Sequence, residues 1–181
     1  MPELHFVVAD ITKLATDAVV SAANRTLLSA GGVGGAIHRA AGPRLREACG
    51  ALGPIDYGEC VMTPGFNLPA KFVIHAAGPV WRGGACREAE RLASCYRRAL
   101  DLAQEAGLRS IAFPCISTGA YAFPNELAAR IALGVVCAHS FKGDACFVIT
   151  REIDMRAYEA AWFEQEGRRL QWPEASLATL I

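Results

Sequence analysis

The sequence predicts an α/β domain built on a largely parallel sheet with helices on both faces. Strand-like apolar runs alternate with helix-like runs along the chain. Two glycine-bearing loops each follow a strand-like run and precede a helix-like one. The 181 residues suffice for one ordinary α/β domain, and 52% hydrophobic with 20% charged residues is the composition of a chain with a packed core.

Leu4 to Ala9 reads as a first strand, stopped by Asp10, and Ala18-Val19-Val20 as a short buried strand. Residues 36–51 read as one helix. Residues 59–63 and 71–76 read as strands, separated by the turn signals Pro64-Gly65 and Pro69. The clearest helix spans 87–106, where Ala89, Leu92, Ala93, Tyr96, Ala99, Leu100 and Ala103 recur at three- and four-residue spacing before Gly107. A strand at 110–113, a helix near 125–140 with Pro124 at its start, a strand at 145–149 and a helix near 154–167 complete the pattern. The sequence shows no linker, repeat or low-complexity stretch, so one domain over 1–170 is expected, with a tail at 171–181.

Charge excludes some functions. Lys+Arg and Asp+Glu balance at 18 each, which gives no electrostatic case for duplex nucleic acid or an anionic membrane. The seven cysteines are odd in number and contain no C-x-x-C pair, as expected of reduced cytoplasmic thiols rather than a zinc site or a disulfide framework. Met1 to His5 lacks the basic segment of a signal peptide, and no apolar run reaches the length of a membrane span.

In a parallel sheet, ligands sit beyond the carboxyl ends of the strands. Asp10, Asn24 and both glycine loops follow strand-like segments, so the layout gathers them at one edge. The first loop, Ala30-Gly31-Gly32-Val33-Gly34-Gly35, precedes a helix. Glycine lets backbone N–H groups face an anion, and a helix N-terminus adds unpaired donors and a positive dipole end. The second loop is Ser117-Thr118-Gly119-Ala120. One such loop suits a phosphate, and two suit a diphosphate and hence a nucleotide. The first loop matches neither G-x-G-x-x-G nor the P-loop, which disfavours an NAD-type domain and a P-loop hydrolase.

Single residues stay open to two readings. Asn24 suits a ribose diol or a positioned water, or a turn. Asp10 suits an adenine amino group, or an N-cap. Tyr121 and Phe123 suit a ribose or base, or the core. His38 and His75 read as structural, with no Ser-His-Asp or Cys-His motif around them.

Taken together, these motifs resemble the macrodomain family, specifically its bacterial MacroD-type branch. The resemblance rests on Val8-Ala9-Asp10-Ile11-Thr12, Ser21-Ala22-Ala23-Asn24, Gly31 through Pro43, Leu68-Pro69-Ala70-Lys71, His75 through Trp81, and Phe113 through Gly119. It implies a three-layer α/β/α fold on a six-stranded mixed sheet. It implies ADP-ribose, or an ADP-ribosylated protein or metabolite, as the partner, with no metal and no cofactor. Carried over by position, Asp10 takes the adenine amine, Ile11 lends a backbone contact, Ala23 is among the ligand-binding residues, and Asn24 holds the distal ribose and is the catalytic candidate. Gly31, Gly32, Val33 and Gly34 with Ser117, Thr118, Gly119, Ala120 and Tyr121 enclose the diphosphate and distal ribose. Members of the branch remove ADP-ribose from acidic side chains or deacetylate O-acetyl-ADP-ribose.

Three positions depart from the branch pattern. Ser21 stands where the branch has Asn, and Gly34 where it has Asp. Thr150-Arg151 stands near the last strand where the family has an aromatic residue beside the adenine. The aspartate helps orient or activate the attacking water, and glycine supplies no base. Loss of one acid–base group removes about 10²- to 10⁴-fold of rate, which positioning and a water held by a substrate phosphate offset in part. Viral relatives that lack the carboxylate resemble this loop and are taken as hydrolases. Three readings therefore share the pocket: a slow ADP-ribosyl hydrolase, a non-catalytic ADP-ribose reader, and an ADP-ribose 1″-phosphate phosphatase.

Overall fold

A computed structural model describes residues 1–172. Its strands are β1 (Glu3–Val7), β2 (Ala18–Ala23), β3 (Cys60–Pro64), β4 (Phe72–Ala77), β5 (Ser110–Pro114) and β6 (Asp144–Val148). They form one sheet in the order β1-β6-β5-β2-β4-β3. Every pairing is parallel except β3 with β4, which the short Pro64-Gly65 turn region joins as neighbours in sequence. The helices are α1 (Gly32–Ala41), α2 (Pro43–Leu52), α3 (Glu88–Glu105), α4 (Asn125–Ala138) and α5 (Glu152–Glu166), with a 3-10 turn at Ile11–Lys13. The expected six-stranded mixed α/β sheet is present.

Strand alternation builds the three layers. On β2, Ala18 and Val20 face a core shared with α3, α4 and α5, whereas Val19 and Ala23 face a second core shared with α1 and α2. The same alternation places Ile111 and Phe113 of β5 in the first core and Ala112 in the second. With both faces covered, the strands read as continuous apolar runs rather than as alternating ones. Phe147 anchors the first core, its ring centroid 5.4 Å from Phe6 and 5.2 Å from Tyr158.

The single helix expected over 36–51 is two. Gly42 ends α1 and precedes α2 with φ +84° and ψ −179°, a conformation that only glycine adopts readily. Pro43 explains the break: its ring disfavours a helical residue before it, and it has no N–H to donate. α1 also begins earlier than the apolar pattern indicates, inside the glycine run at Gly32. β2 extends to Ala23, past the expected Val20, which carries Ala22 and Ala23 to the edge of the sheet. The long helix matches its expected span to one residue at each end. Ahead of it, the buried Glu88 carboxylate folds the preceding loop by accepting from the N–H groups of Arg82, Gly84 and Cys86 at 2.8, 3.2 and 2.7 Å.

Residues 173–181 of the expected tail lie outside the described residues. Trp172 packs edge-on to Phe6, and its Nε1 donates to Glu159 at 2.6 Å.

Gly42→Ala is expected to destabilise the protein by about 1–3 kcal/mol in chemical unfolding, because alanine strains at this backbone conformation. Its Cβ would also stand 2.7 Å from Asn67 Nδ2.

Candidate functional site

Five parallel strands end at one edge, and a cavity of about 900 Å³ opens beyond their carboxyl ends. Val8 to Ile11 follow β1, Ala22 to Asn24 close β2, Pro114 ends β5 with Cys115 to Tyr121 beyond it, and Val148 ends β6 with Thr150 and Arg151 beyond it. The glycine loop before α1 and Gly78 after β4 complete the wall. Every site residue expected from the sequence lines this cavity except Gly34, which is buried behind the wall.

The first loop presents an uncapped helix start to the cavity. Gly31 is the N-cap of α1 and no side chain caps the helix, so the first-turn N–H groups meet the cavity uncapped and at the positive end of the dipole. The second loop works without a helix end. α4 starts only at Asn125, and the loop is shaped by Ala122 N–H donating to Gly119 O at 2.9 Å and Phe123 N–H to Ser117 O at 3.0 Å. The N–H groups of Thr118, Gly119 and Ala120 have no backbone partner among the described residues. Ser117 holds φ +65°, an uncommon conformation for a residue with a Cβ, and its buried Oγ has no partner among the described residues.

An ion-pair network that the sequence does not announce anchors this loop. Arg151 donates to Thr118 O at 2.9 Å and Thr118 Oγ1 at 3.0 Å, and its Nε donates to Asp154 at 2.6 Å. Asp154 is 3% exposed and also accepts from Asn125 Nδ2 at 2.6 Å. The network joins the N-terminus of α5, the N-terminus of α4 and the second loop. The spacing of Arg151 and Asp154 at i, i+3 on α5 is the only sequence signal for it.

The two readings of Asp10 coexist. Its Oδ1 accepts from Thr12 N–H at 3.0 Å and Thr12 Oγ1 at 2.7 Å, which caps the 3-10 turn. Those two bonds hold its carboxyl below the usual carboxylate range. Oδ2 makes no hydrogen bond among the described residues, so an ionised acceptor lines the cavity. Asn24 Oδ1 accepts from Thr26 Oγ1 at 2.9 Å, and Nδ2 stays unbonded among the described residues. Tyr121 lines the cavity and burial raises its pKa, so it stays a phenol. Phe123 is core: it is 1% exposed and packs on Trp81 at 4.8 Å.

Of the acids along the cavity, Asp10 has Oδ1 held by Thr12 and Oδ2 free, Asp154 is held by Arg151 and Asn125, and burial pushes the Cys115 thiol far up. Ser21 does not line the cavity; its buried Oγ is unbonded among the described residues.

His38 and His75 do not line the cavity; they lie on the face of the sheet that α1 and α2 cover. The structure does bring a cysteine to a histidine there, which the sequence motifs do not signal: Cys49 Sγ lies 3.6 Å from His75 Nε2. Both are fully buried, and burial raises the Cys49 pKa, so the pair offers no exposed thiolate. His75 Nε2 also lies 2.9 Å from Thr63 Oγ1, and His38 Nε2 lies 3.0 Å from Leu27 O. These contacts support the structural reading of both histidines.

A family model for the Macro domain matches residues 20–132. A Macro domain-containing protein of Ralstonia nicotianae is 54% identical over 154 residues, covering 84% of this chain and 90% of that protein. An O-acetyl-ADP-ribose deacetylase of Citrobacter koseri is 46% identical over 170 residues, covering 90% and 96%. Among solved structures, an Oceanobacillus iheyensis macrodomain with ADP superposes with a TM-score of 0.86 at 41% identity, covering 90% of each chain. The chain belongs to the Macro domain family. The glycine loops and the cavity are therefore parts of a macrodomain.

One pH dependence follows from the buried histidine. Burial, reinforced by the charge of His38, lowers the His75 pKa from 6.5 to about 4. Between those values the unfolded chain holds a proton that the native state refuses, so acidification favours unfolding. Stability should fall by up to about 1.4 kcal/mol per pH unit as pH drops through that window. A folded His75→Gln variant, followed by urea unfolding from pH 7 to 4, should show a shallower loss.

Proposed function

We propose that this macrodomain binds ADP-ribose and hydrolyses ADP-ribosyl esters on acidic side chains or O-acetyl-ADP-ribose. The observation that carries the ligand is the cavity itself: two loops of unpaired backbone donors face one space, with an ionised Asp10 at one wall and the Asn24 amide at another. The loops suit the diphosphate, Asp10 Oδ2 the adenine amine, and Ala23 and Asn24 the distal ribose. The deacetylase relative and the ADP-bound structure support the same ligand class. Backbone amides stabilise a diphosphate by hydrogen bonds and dipoles without net positive charge on the protein, in keeping with the balanced 18 and 18.

Hydrolysis on this geometry is a water attack at the distal ribose C1″, breaking the C1″–O bond and releasing the side-chain carboxylate, or at the ester carbonyl, breaking the acyl–O bond and releasing acetate and the ribose hydroxyl. The chain holds the diphosphate and fixes the ribose, which supplies proximity and orientation. Gly34 offers no carboxylate, so proton removal falls to a substrate phosphate oxygen, and turnover is slow. A reducing cytoplasmic compartment goes with this reading, from the odd cysteine count. The second reading is a reader that binds without cleaving, favoured by Gly34, which brings no carboxylate to the first glycine loop. A phosphatase acting on ADP-ribose 1″-phosphate would use the same pocket.

Release of ADP-ribose from a glutamate-linked substrate, or of acetate from O-acetyl-ADP-ribose, tests the enzyme. Asn24→Ala should lower the rate about 10²-fold through lost positioning. No turnover above that variant, with binding intact, leaves the reader. Phosphate release from ADP-ribose 1″-phosphate separates the phosphatase. In calorimetry, Asp10→Ala should weaken ADP-ribose about tenfold or more, the cost of losing a charged hydrogen-bond acceptor.

A further inference from the structure

The place that a side chain at position 34 would occupy is already taken. A Cβ on Gly34 would stand 2.8 Å from Ser29 Cβ, 2.9 Å from Ser29 Oγ and 3.0 Å from the carbonyl oxygen of Ala22. The first distance is closer than real Cβ contacts come. Neither the Ser29 Cβ nor a β2 carbonyl is the free end of a long side chain, so neither yields easily. Ser29 lines the cavity, whereas Gly34 does not.

The hydroxyl of Ser29 is also directed by its neighbours. Its Oγ accepts from the backbone N–H of Asn24 at 3.3 Å. Its own O–H has no acceptor among the described residues, which leaves one donor to spare. It is thus a half-satisfied hydroxyl at the cavity wall, tied to the residue whose amide is assigned the distal ribose.

We infer that Ser29 is the distal-ribose positioning and specificity residue of this macrodomain, its hydroxyl donating to a distal-ribose hydroxyl from the space that a side chain at 34 would need. This rests on the ADP-ribose reading of the cavity. Positions 29 and 34 form one steric unit: a side chain at one requires its absence at the other. A single Gly34→Asp exchange therefore runs into Ser29 before it can supply a base.

Two ligands that differ only by the distal ribose isolate the contact. ADP-ribose and ADP are titrated calorimetrically into wild type and Ser29→Ala. The alanine variant should bind ADP-ribose about tenfold more weakly and ADP within about twofold of wild type. Equal losses for both ligands, or no loss for ADP-ribose, overturn the inference and leave the ligand class standing. Wild type that binds neither ligand overturns the ADP-ribose reading itself, and this inference with it. The steric half is read from melting temperatures of Gly34→Asp, Ser29→Gly and the double variant. Gly34→Asp alone should melt lower or fail to fold, and the double variant should recover most of the loss. A Gly34→Asp protein as stable as wild type, or a double variant no better than the single one, overturns the coupling.

Discussion

The open first turn of α1 is the feature on which the site depends. No side chain caps it, and its N–H groups meet the cavity at the carboxyl edge of the sheet. The uncapped turn costs helix stability when empty and regains it when an anion arrives. The backbone geometry needed for it is set nearby. Gly31 carries the chain into the helix in an extended conformation, and Gly42 and Pro43 stop the helix ten residues on. The parallel β2–β4 pairing holds the carboxyl end of β2 in register as far as Ala23, whereas β2 pairs with β5 only through Ala18–Ile111 and Val19–Ala112.

The second loop has a different origin. No helix begins there, and its donors are exposed by a turn held from outside. Arg151 grips Thr118 through both its carbonyl and its hydroxyl, while Asp154 grips Arg151 and Asn125. Burying Asp154 is tolerated because charged and neutral donors meet its carboxylate from two elements. The charge of Arg151 is thus spent partly on shape, and the donors left facing the cavity are backbone amides.

Much of this was legible from residues alone. The 3.6-residue spacing of Leu92, Tyr96, Ala99 and Ala103 located α3 to within a residue, because helix periodicity is a local property. The glycine runs located both loops for the same reason. The apolar pattern over 36–51 passes through Gly42 as if through one helix, and only the backbone preference of Gly-Pro divides it. The apolar signal of β2 fades at Val20, because Ser21 and Asn24 dilute it, whereas the ladder to β4 carries the strand three residues further to Ala23. Asp10 could be read as cap or ligand from sequence; the structure divides the two roles between its oxygens.

The sequence by itself determined the alternating elements and the edge at which the loops gather, because these follow from local periodicity and from glycine's backbone freedom. The tertiary structure decided what stands at each wall. It joined Arg151 to Thr118 across 33 residues, set Cys49 against His75 across 26, and placed the Ser29 side chain where Gly34 has none. Such neighbours are set by packing between elements, and spacing along the chain carries no record of that packing.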